Sequence, residues 1–306
     1  MGKIAFLFPG QGVQTPGMGK DFAEKYECAD NVYNIATKNS GMDVKALCFE
    51  ENDKLNITEY TQLALLTTEV AILSVVEKMG IVPDYCAGLS LGEYGCLALG
   101  EVMQLEDLFS IIRKRGKYMQ EAYPTGGAMT AVLGLEASVI AKICESIDGI
   151  VSIANDNCPG QIVITGEASA VEATAEELLK NGAKRCIPLK VSGPFHSKLL
   201  EGAGELLSKD LRDIEINNPK IPYISNVTAD LVETNDCIKD LLSRQVSSSV
   251  RFRETIFKLK ELGVDTFVEI GPGKTLAGFI KKTDKELQVI NIEKVEDLEK
   301  LEALKN

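Results

Sequence analysis

Apolar positions along this chain follow two periods. Short apolar runs at 4–8, 85–89 and 266–270 read as buried strands, and amphipathic stretches near 18–38, 59–79, 91–99 and 105–122 repeat at helical spacing. Strand, helix, strand in this alternation predicts a parallel sheet covered by helices. Gly80, directly after the second helical stretch, supplies a C-cap. The first run stops in a turn, Pro9-Gly10-Gln11-Gly12.

Residues 124–190 keep a different rhythm. Pro124-Thr125-Gly126-Gly127 breaks the chain, and then a strand is expected at 128–135, a helix at 136–147, strands at 150–154 and 161–165, a helix at 168–181 and a strand at 184–189. This order, β-α-β-β-α-β, is the ferredoxin-like unit. The domain reading is therefore a main α/β domain made of 1–124 and 191–306, with 125–190 inserted as a small second domain. Beyond the insertion, helices are expected at 197–212, 234–244, 250–262 and 274–282, strands at 223–226, 266–270 and 289–292, and a helix at the charged end.

Composition narrows the function. With 33 Lys plus Arg against 45 Asp plus Glu, the net charge of −12 provides no basic surface for a nucleic-acid backbone. None of the eight cysteines forms a C-x-x-C pair, which reads as reduced, buried thiols in a reducing compartment. The apolar stretch after Met1-Gly2-Lys3 stops at Pro9, too short for a signal segment, and no run approaches the ~20 residues of a membrane span. A cytoplasmic location is expected. The chain has one histidine, His196, so a histidine-rich zinc site is excluded.

Gly88-Leu89-Ser90-Leu91-Gly92 fits G-x-S-x-G, with a buried strand before it and a helix after it. Glycines allow the sharp strand-to-helix turn that projects Ser90 and aims it at the positive end of the next helix, where the Leu91 N–H can meet an oxyanion. A plain Gly-Ser turn is the alternative without chemistry. A serine needs a base, and His196, in a Gly-Pro loop directly before a helix, is the one imidazole the chain offers. Loops at the carboxyl ends of neighbouring parallel strands meet, so Gln11 is expected to face Ser90 and to supply a second N–H, unless its turn is only a turn. Gly271-Pro272-Gly273-Lys274-Thr275 imitates the end of a phosphate-binding loop, but that motif requires glycine at 268, where this chain has Val268.

Seven segments carry a further resemblance: Phe8-Pro9-Gly10-Gln11-Gly12, Thr61-Gln62, Gly88-Leu89-Ser90-Leu91-Gly92-Glu93-Tyr94, Arg113-Lys114-Arg115-Gly116, Ala154-Asn155-Asp156-Asn157-Cys158-Pro159-Gly160-Gln161, Pro194-Phe195-His196-Ser197 and Glu269-Ile270-Gly271-Pro272-Gly273. With them the chain resembles, essentially end to end, the malonyl-CoA:acyl-carrier-protein transacylases of fatty-acid synthesis. The resemblance implies an α/β-hydrolase-like core with a ferredoxin-like insertion. It implies Ser90 as nucleophile, His196 as base, and the Gln11 and Leu91 N–H groups as the oxyanion hole. Arg115, which by itself reads as a solvated residue in an Arg-Lys-Arg run, would pair with the malonyl carboxylate. Gln62 would line the same pocket, Asn157 the cleft between the domains, and the Gln245 carbonyl would orient the histidine, so a side-chain change at 245 is expected to matter little. Leu89 departs from the histidine that the family usually has before its nucleophile, and no aspartate completes a triad.

The resemblance further implies no cofactor and no metal, with malonyl-CoA and a phosphopantetheinyl carrier protein as substrates. It implies acyl carrier protein as partner, a monomer, and neither nucleic acid nor membrane. The acidic carrier would dock on a local basic patch including Lys184, Arg185, Lys190 and Lys198. A serine esterase or thioesterase shares G-x-S-x-G, but usually places its histidine late, whereas over a hundred residues follow His196 here. An acyl-CoA-binding scaffold with a dead site is the non-enzymatic alternative.

Overall fold

The computed structural model describes residues 2–304; Met1, where the N-terminal reading starts, and Lys305 and Asn306 of the charged end lie outside the described residues. In chain order the elements are β1 (Lys3–Phe8), α1 (Lys20–Lys25), α2 (Glu27–Ser40), α3 (Val44–Phe49), α4 (Thr58–Lys78), β2 (Tyr85–Gly88), a 3₁₀ turn (Ser90–Gly92), α5 (Glu93–Leu99) and α6 (Leu105–Ala122). There follow β3 (Gly127–Leu133), α7 (Ala137–Ser146), β4 (Val151–Cys158), β5 (Gln161–Glu167), α8 (Ala168–Lys180) and β6 (Arg185–Pro188). The last part holds α9 (Glu201–Leu211), β7 (Tyr223–Ile224), β8 (Leu231–Val232), α10 (Ile238–Gln245), α11 (Phe252–Glu261), β9 (Val264–Ile270), α12 (Thr275–Thr283) and β10 (Gln288–Ile292).

The expected parallel sheet is present, in the order β10-β9-β1-β2-β7-β8, with only the β7–β8 pair antiparallel. Its middle strand β1 is buried on both faces, from Ala5 to Phe8, which is why its sequence is a continuous apolar run rather than an alternating one. Helix α4 is the main packing element: sixteen of its 21 residues are buried, as expected of a helix apolar on nearly all sides. Strands β1, β2 and β9 lie side by side and point the same way, so the loops at 9–12, 89–92 and 271–273 converge at one edge.

The second sheet runs β4-β5-β3-β6, antiparallel throughout, and all its strands lie within the 125–190 segment. One face packs on α7 and α8 through Val132, Ile140, Ile162, Ile164, Val171 and Leu178. Alternate residues, Met129, Ala131 and Val163, point the other way into the space between the two sheets. The Asp156 N–H donates to Val250 O at 3.0 Å and the Val250 N–H to Ala154 O at 2.8 Å, stitching β4 to the main domain.

Several expected boundaries shift for local reasons. The single helix expected at 18–38 is two, because Tyr26 adopts an extended conformation with no proline or glycine to announce it. The short α3 was not expected; Asp43 starts it by accepting the Ala46 N–H at 2.9 Å. Helix α11 begins at Phe252 rather than 250, since Val250 is bonded to β4. Strand β4 reaches Cys158, four residues past expectation, and the charged end forms a 3₁₀ helix over Val295–Leu304. The expectation of buried thiols fails at Cys237, which is exposed, and at the half-buried Cys28 and Cys186. Among the described residues no helix is long and apolar enough to cross a membrane.

Candidate active site

At the carboxyl end of β2 the chain makes the sharp turn that the motif predicts. A Cβ on Gly88 would lie 1.9 Å from the Gly92 carbonyl carbon, and one on Gly92 would lie 2.0 Å from Phe8 O, so both positions require glycine. Ser90 itself sits at φ 55°, a conformation that costs a non-glycine residue roughly 1–3 kcal/mol. Two side chains hold it there. Asn226 accepts the Ser90 N–H at 2.7 Å through Oδ1 and donates from Nδ2 to Gly88 O at 2.7 Å, while Gln245 Nε2 donates to Ser90 O at 2.9 Å.

His196 arrives on the loop that returns from the inserted sheet, also at positive φ, 59°. Its Nδ1–H donates to the Gln245 carbonyl at 2.8 Å, which leaves Nε2 to accept the Ser90 hydroxyl at 2.7 Å. Burial, followed by the nearby Arg115 cation, lowers the imidazole to about 4 against the opposing pull of its hydrogen bonds to the backbone of Gln245 and Ser248. The ring is therefore a neutral acceptor at pH 7.

Arg115 is not on a solvated face. It is 0% exposed, because α6 places it in the apolar stripe with Leu108, Ile112 and Met119. Its guanidinium donates to Gln62 Oε1 at 2.5 Å, to Gln245 Oε1 at 2.9 Å and to Ser90 Oγ at 3.2 Å, and Cζ lies 5.4 Å from the centre of the Tyr94 ring. All these acceptors are neutral, and Nε has no partner. A buried cation with no carboxylate against it carries a desolvation penalty that an incoming anion can offset.

Ser90, His196 and Gln62 line a cavity of about 560 Å³ between the two sheets, and Arg115 lies behind Ser90 and Gln62, within hydrogen-bonding distance of both. Gln11 and Leu91 line it beside Ser90 and His196. The Leu91 N–H precedes the first internal bond of its 3₁₀ turn, donated by Gly92 to Leu89 O at 3.1 Å, and so lies in the free first turn. Asn157 lines the opposite wall, its Oδ1 buried without a partner, and Gln62 lies against both Arg115 and Met119. Leu89 lines the cavity where the resemblance would put an imidazole. Thr58, fully buried, bridges the loops that carry Gln11 and Ser192, hydrogen-bonded to Gln11 Nε2 at 3.2 Å and to Ser192 Oγ at 2.7 Å.

The structure thus brings together every expected site residue, and it corrects one reading. The Gln245 carbonyl does meet His196, but the side chain also holds Arg115, Ser90 and Glu93, so it cannot be indifferent. Asn226 and Glu93 had no assigned role. Glu93 stands directly after the G-x-S-x-G turn, and Asn226 ends a strand-like run; both signals were legible only as positions. Asn226→Ala is expected to lower kcat at least ~10-fold with little change in KM, and to destabilise the fold by about 1–3 kcal/mol through the orphaned Ser90 N–H. Steady-state kinetics and thermal unfolding measure the two effects.

The loop at 271–275 is occupied from within. Glu269 accepts the N–H groups of Leu276 at 3.0 Å and Ala277 at 2.9 Å, filling the anion position at the start of α12. A phosphate has no place there.

Comparison with known proteins gives a consistent pattern. Residues 5–303 match the model of the acyl transferase domain. The malonyl CoA-acyl carrier protein transacylase of Bacillus subtilis (strain 168) is 44% identical over 304 residues, 98% of this chain and 96% of the relative. That of Clostridium perfringens, a solved structure, superposes with a TM-score of 0.95 at 43% identity, covering 99% of this chain and 96% of the other. A malonyl-transacylase solved in complex with a type II polyketide acyl-carrier protein superposes with a TM-score of 0.96 at 36% identity, over 99% of this chain and 100% of the other.

Proposed function

The chain belongs to the acyl transferase family, and on that premise we propose that it carries a malonyl group from malonyl-CoA to the phosphopantetheine thiol of an acyl carrier protein, for fatty-acid chain elongation. The observation that carries the reading is Arg115: a buried guanidinium with no carboxylate in direct contact, 3.2 Å from the nucleophile, suits an acyl group bearing its own carboxylate.

In the first half-reaction the Ser90 hydroxyl gives its proton to His196 Nε2 as Oγ attacks the thioester carbonyl. The oxyanion forms against the Gln11 and Leu91 N–H groups, each such donor being worth ~10²–10³ in rate. Collapse breaks the C–S bond, and the departing CoA sulfur takes the proton back from His196. In the second half the carrier thiol gives His196 its proton, its sulfur attacks the malonyl-Ser90 ester, and the Ser90 oxygen leaves with that proton. The cycle is ping-pong and draws on no cofactor or metal. Asn157 and Gln62 line the walls, and Gln62 also seats Arg115.

Intact mass after incubation with malonyl-CoA tests the reading: a malonyl adduct should form and be absent in Ser90→Ala. No adduct on the unaltered chain would leave only a binding protein. Rapid release of free malonate in place of acyl-carrier product would instead indicate a hydrolase.

Two further results are expected. Because His196 is held near 4 in the free protein, the acid limb of kcat/KM for malonyl-CoA should fall near pH 4 rather than near 6.5, measured by CoA release at sub-saturating malonyl-CoA across the acid range. Lys184, Arg185, Lys190 and Lys198 are exposed, and Lys190 also lines the cavity, so the acidic carrier docks at this rim. Reversing Lys184 and Arg185 together to Glu should raise the carrier KM roughly tenfold without slowing Ser90 acylation by malonyl-CoA. An unchanged carrier KM would remove this patch from the docking surface.

A further inference from the structure

Behind the nucleophile lies a carboxylate that the cycle leaves unused. Glu93, the first residue of α5, is fully buried; Oε2 accepts the Asn226 N–H at 3.2 Å and the Gln245 Nε2–H at 2.6 Å, and Oε1 has no partner. The same Gln245 amide accepts from Arg115 at 2.9 Å. One amide therefore stands between the buried acid and the buried cation, donating to the first and accepting from the second.

The titratable groups around Glu93 are Tyr94 and Cys96 on its own helix, Tyr223 on β7 and Arg115 on α6, with Cys86 on β2 and Glu69 on α4 beyond Cys96. Burial holds Tyr94, Cys96 and Tyr223 above their ordinary values, so they are neutral at pH 7. Arg115 is the one cation of the set.

We propose that Glu93 is the internal counter-charge of Arg115, coupled to it through the Gln245 amide, and that it takes up a proton when the carboxylate of an acyl group occupies Arg115. The inference rests on the malonyl reading above. In the empty site burial raises Glu93 to about 7, while Gln245, Asn226 and Arg115 hold it down. A malonyl carboxylate on the guanidinium cancels the Arg115 field and adds a second anion to a dry pocket. Two such anions raise each other's affinity for protons. The substrate carboxylate keeps its charge through paired guanidinium hydrogen bonds, and Glu93 has Oε1 free to carry the proton. The proton comes from solvent, and whatever fraction of Glu93 is ionised beforehand gives way to the substrate carboxylate, so the pocket holds no more than one carboxylate charge beside Arg115. Glu93 is thus a positioning residue that sets the charge state Arg115 offers to substrate.

The experiment mixes the full-length protein with stoichiometric malonyl-CoA in weak buffer containing a pH-indicating dye, and counts malonyl-Ser90 by intact mass. At pH 7 the released CoA stays a thiol, so acyl transfer by itself neither binds nor frees a proton. A group titrating near 7 is half ionised there, so uptake of about half a proton per adduct is expected, vanishing near pH 5 where Glu93 is already protonated. Counted per adduct formed, whatever the rate of its formation, Glu93→Gln should show no uptake, and neither should acylation by acetyl-CoA. Full adduct with no uptake at pH 7, or uptake that survives in Glu93→Gln, overturns the proposal. Should that variant fail to fold, the pH profile of the unaltered protein decides: uptake growing from pH 7 down toward 5 belongs to His196, not Glu93. If no malonyl adduct forms at all, the transfer reading fails and the proposal with it.

Discussion

Replacing His196 by alanine is expected to slow acylation of Ser90 by about 10²–10⁴-fold, the range a positioned general base contributes, measured as the rate of malonyl-adduct formation by quenched-flow mass analysis. The size follows from the geometry. The Ser90 hydroxyl has one acceptor in line, Nε2 at 2.7 Å, and its other close neighbour, Arg115, can only donate to it. No second imidazole exists in the chain to take over. The rate that persists should come from the Gln11 and Leu91 N–H groups and from binding. Ser90→Ala and the Ser90→Ala/His196→Ala double variant should be equally dead, because the two residues act as a unit. A His196→Ala protein within tenfold of the unaltered rate would show that another group accepts the proton.

The second large effect concerns the acyl group. Arg115→Ala should lower kcat/KM for malonyl-CoA by roughly 10²–10³-fold, the scale of removing one member of a buried charge pair, and leave acetyl transfer little changed. Arg115→Lys should recover only part of the loss. An ammonium cannot donate to Gln62 and Gln245 on one edge while offering a planar pair to a carboxylate. Competition between malonyl-CoA and acetyl-CoA in one mixture reads the preference directly. Retained malonyl preference in Arg115→Ala would sink the carboxylate-pairing role.

Much of the architecture was legible because it rests on patterning. Strand β1 reads as a buried strand since it is apolar at every position, and the 127–188 sheet was predictable from the order of its elements. The break at Tyr26 was not, because it carries no breaker residue and only tertiary packing selects it. Ser90 announced itself through glycines that sterics demand. His196 followed by elimination, yet its approach to Ser90 depends on the chain returning from a separate sheet, which no local pattern encodes. Arg115 had a signal that the Arg-Lys-Arg run concealed: 108, 112, 115 and 119 follow helical spacing, and an arginine in an otherwise apolar stripe is a buried cation. Asn226 and Glu93 act through a hydrogen-bond network spanning over a hundred residues of chain, and periodicity is blind to such contacts.

The inserted sheet leaves and rejoins the main domain at one place. Gly127 at its entry lies so close to Pro194 at its exit that a Cβ there would sit 2.3 Å from the proline ring. Adjacent ends are what make a segment interchangeable without disturbing its host. The reaction chamber is accordingly built in two parts: its floor, with Ser90 and Gln11, comes from the host, and its ceiling, with Met129, Ala131 and Val163, from the guest. Transplanting the ceiling between 127 and 190 would reshape the room for an acyl chain while the chemistry below stays in place. The exit leg from 191 to 196 must remain with the host, because it delivers the base.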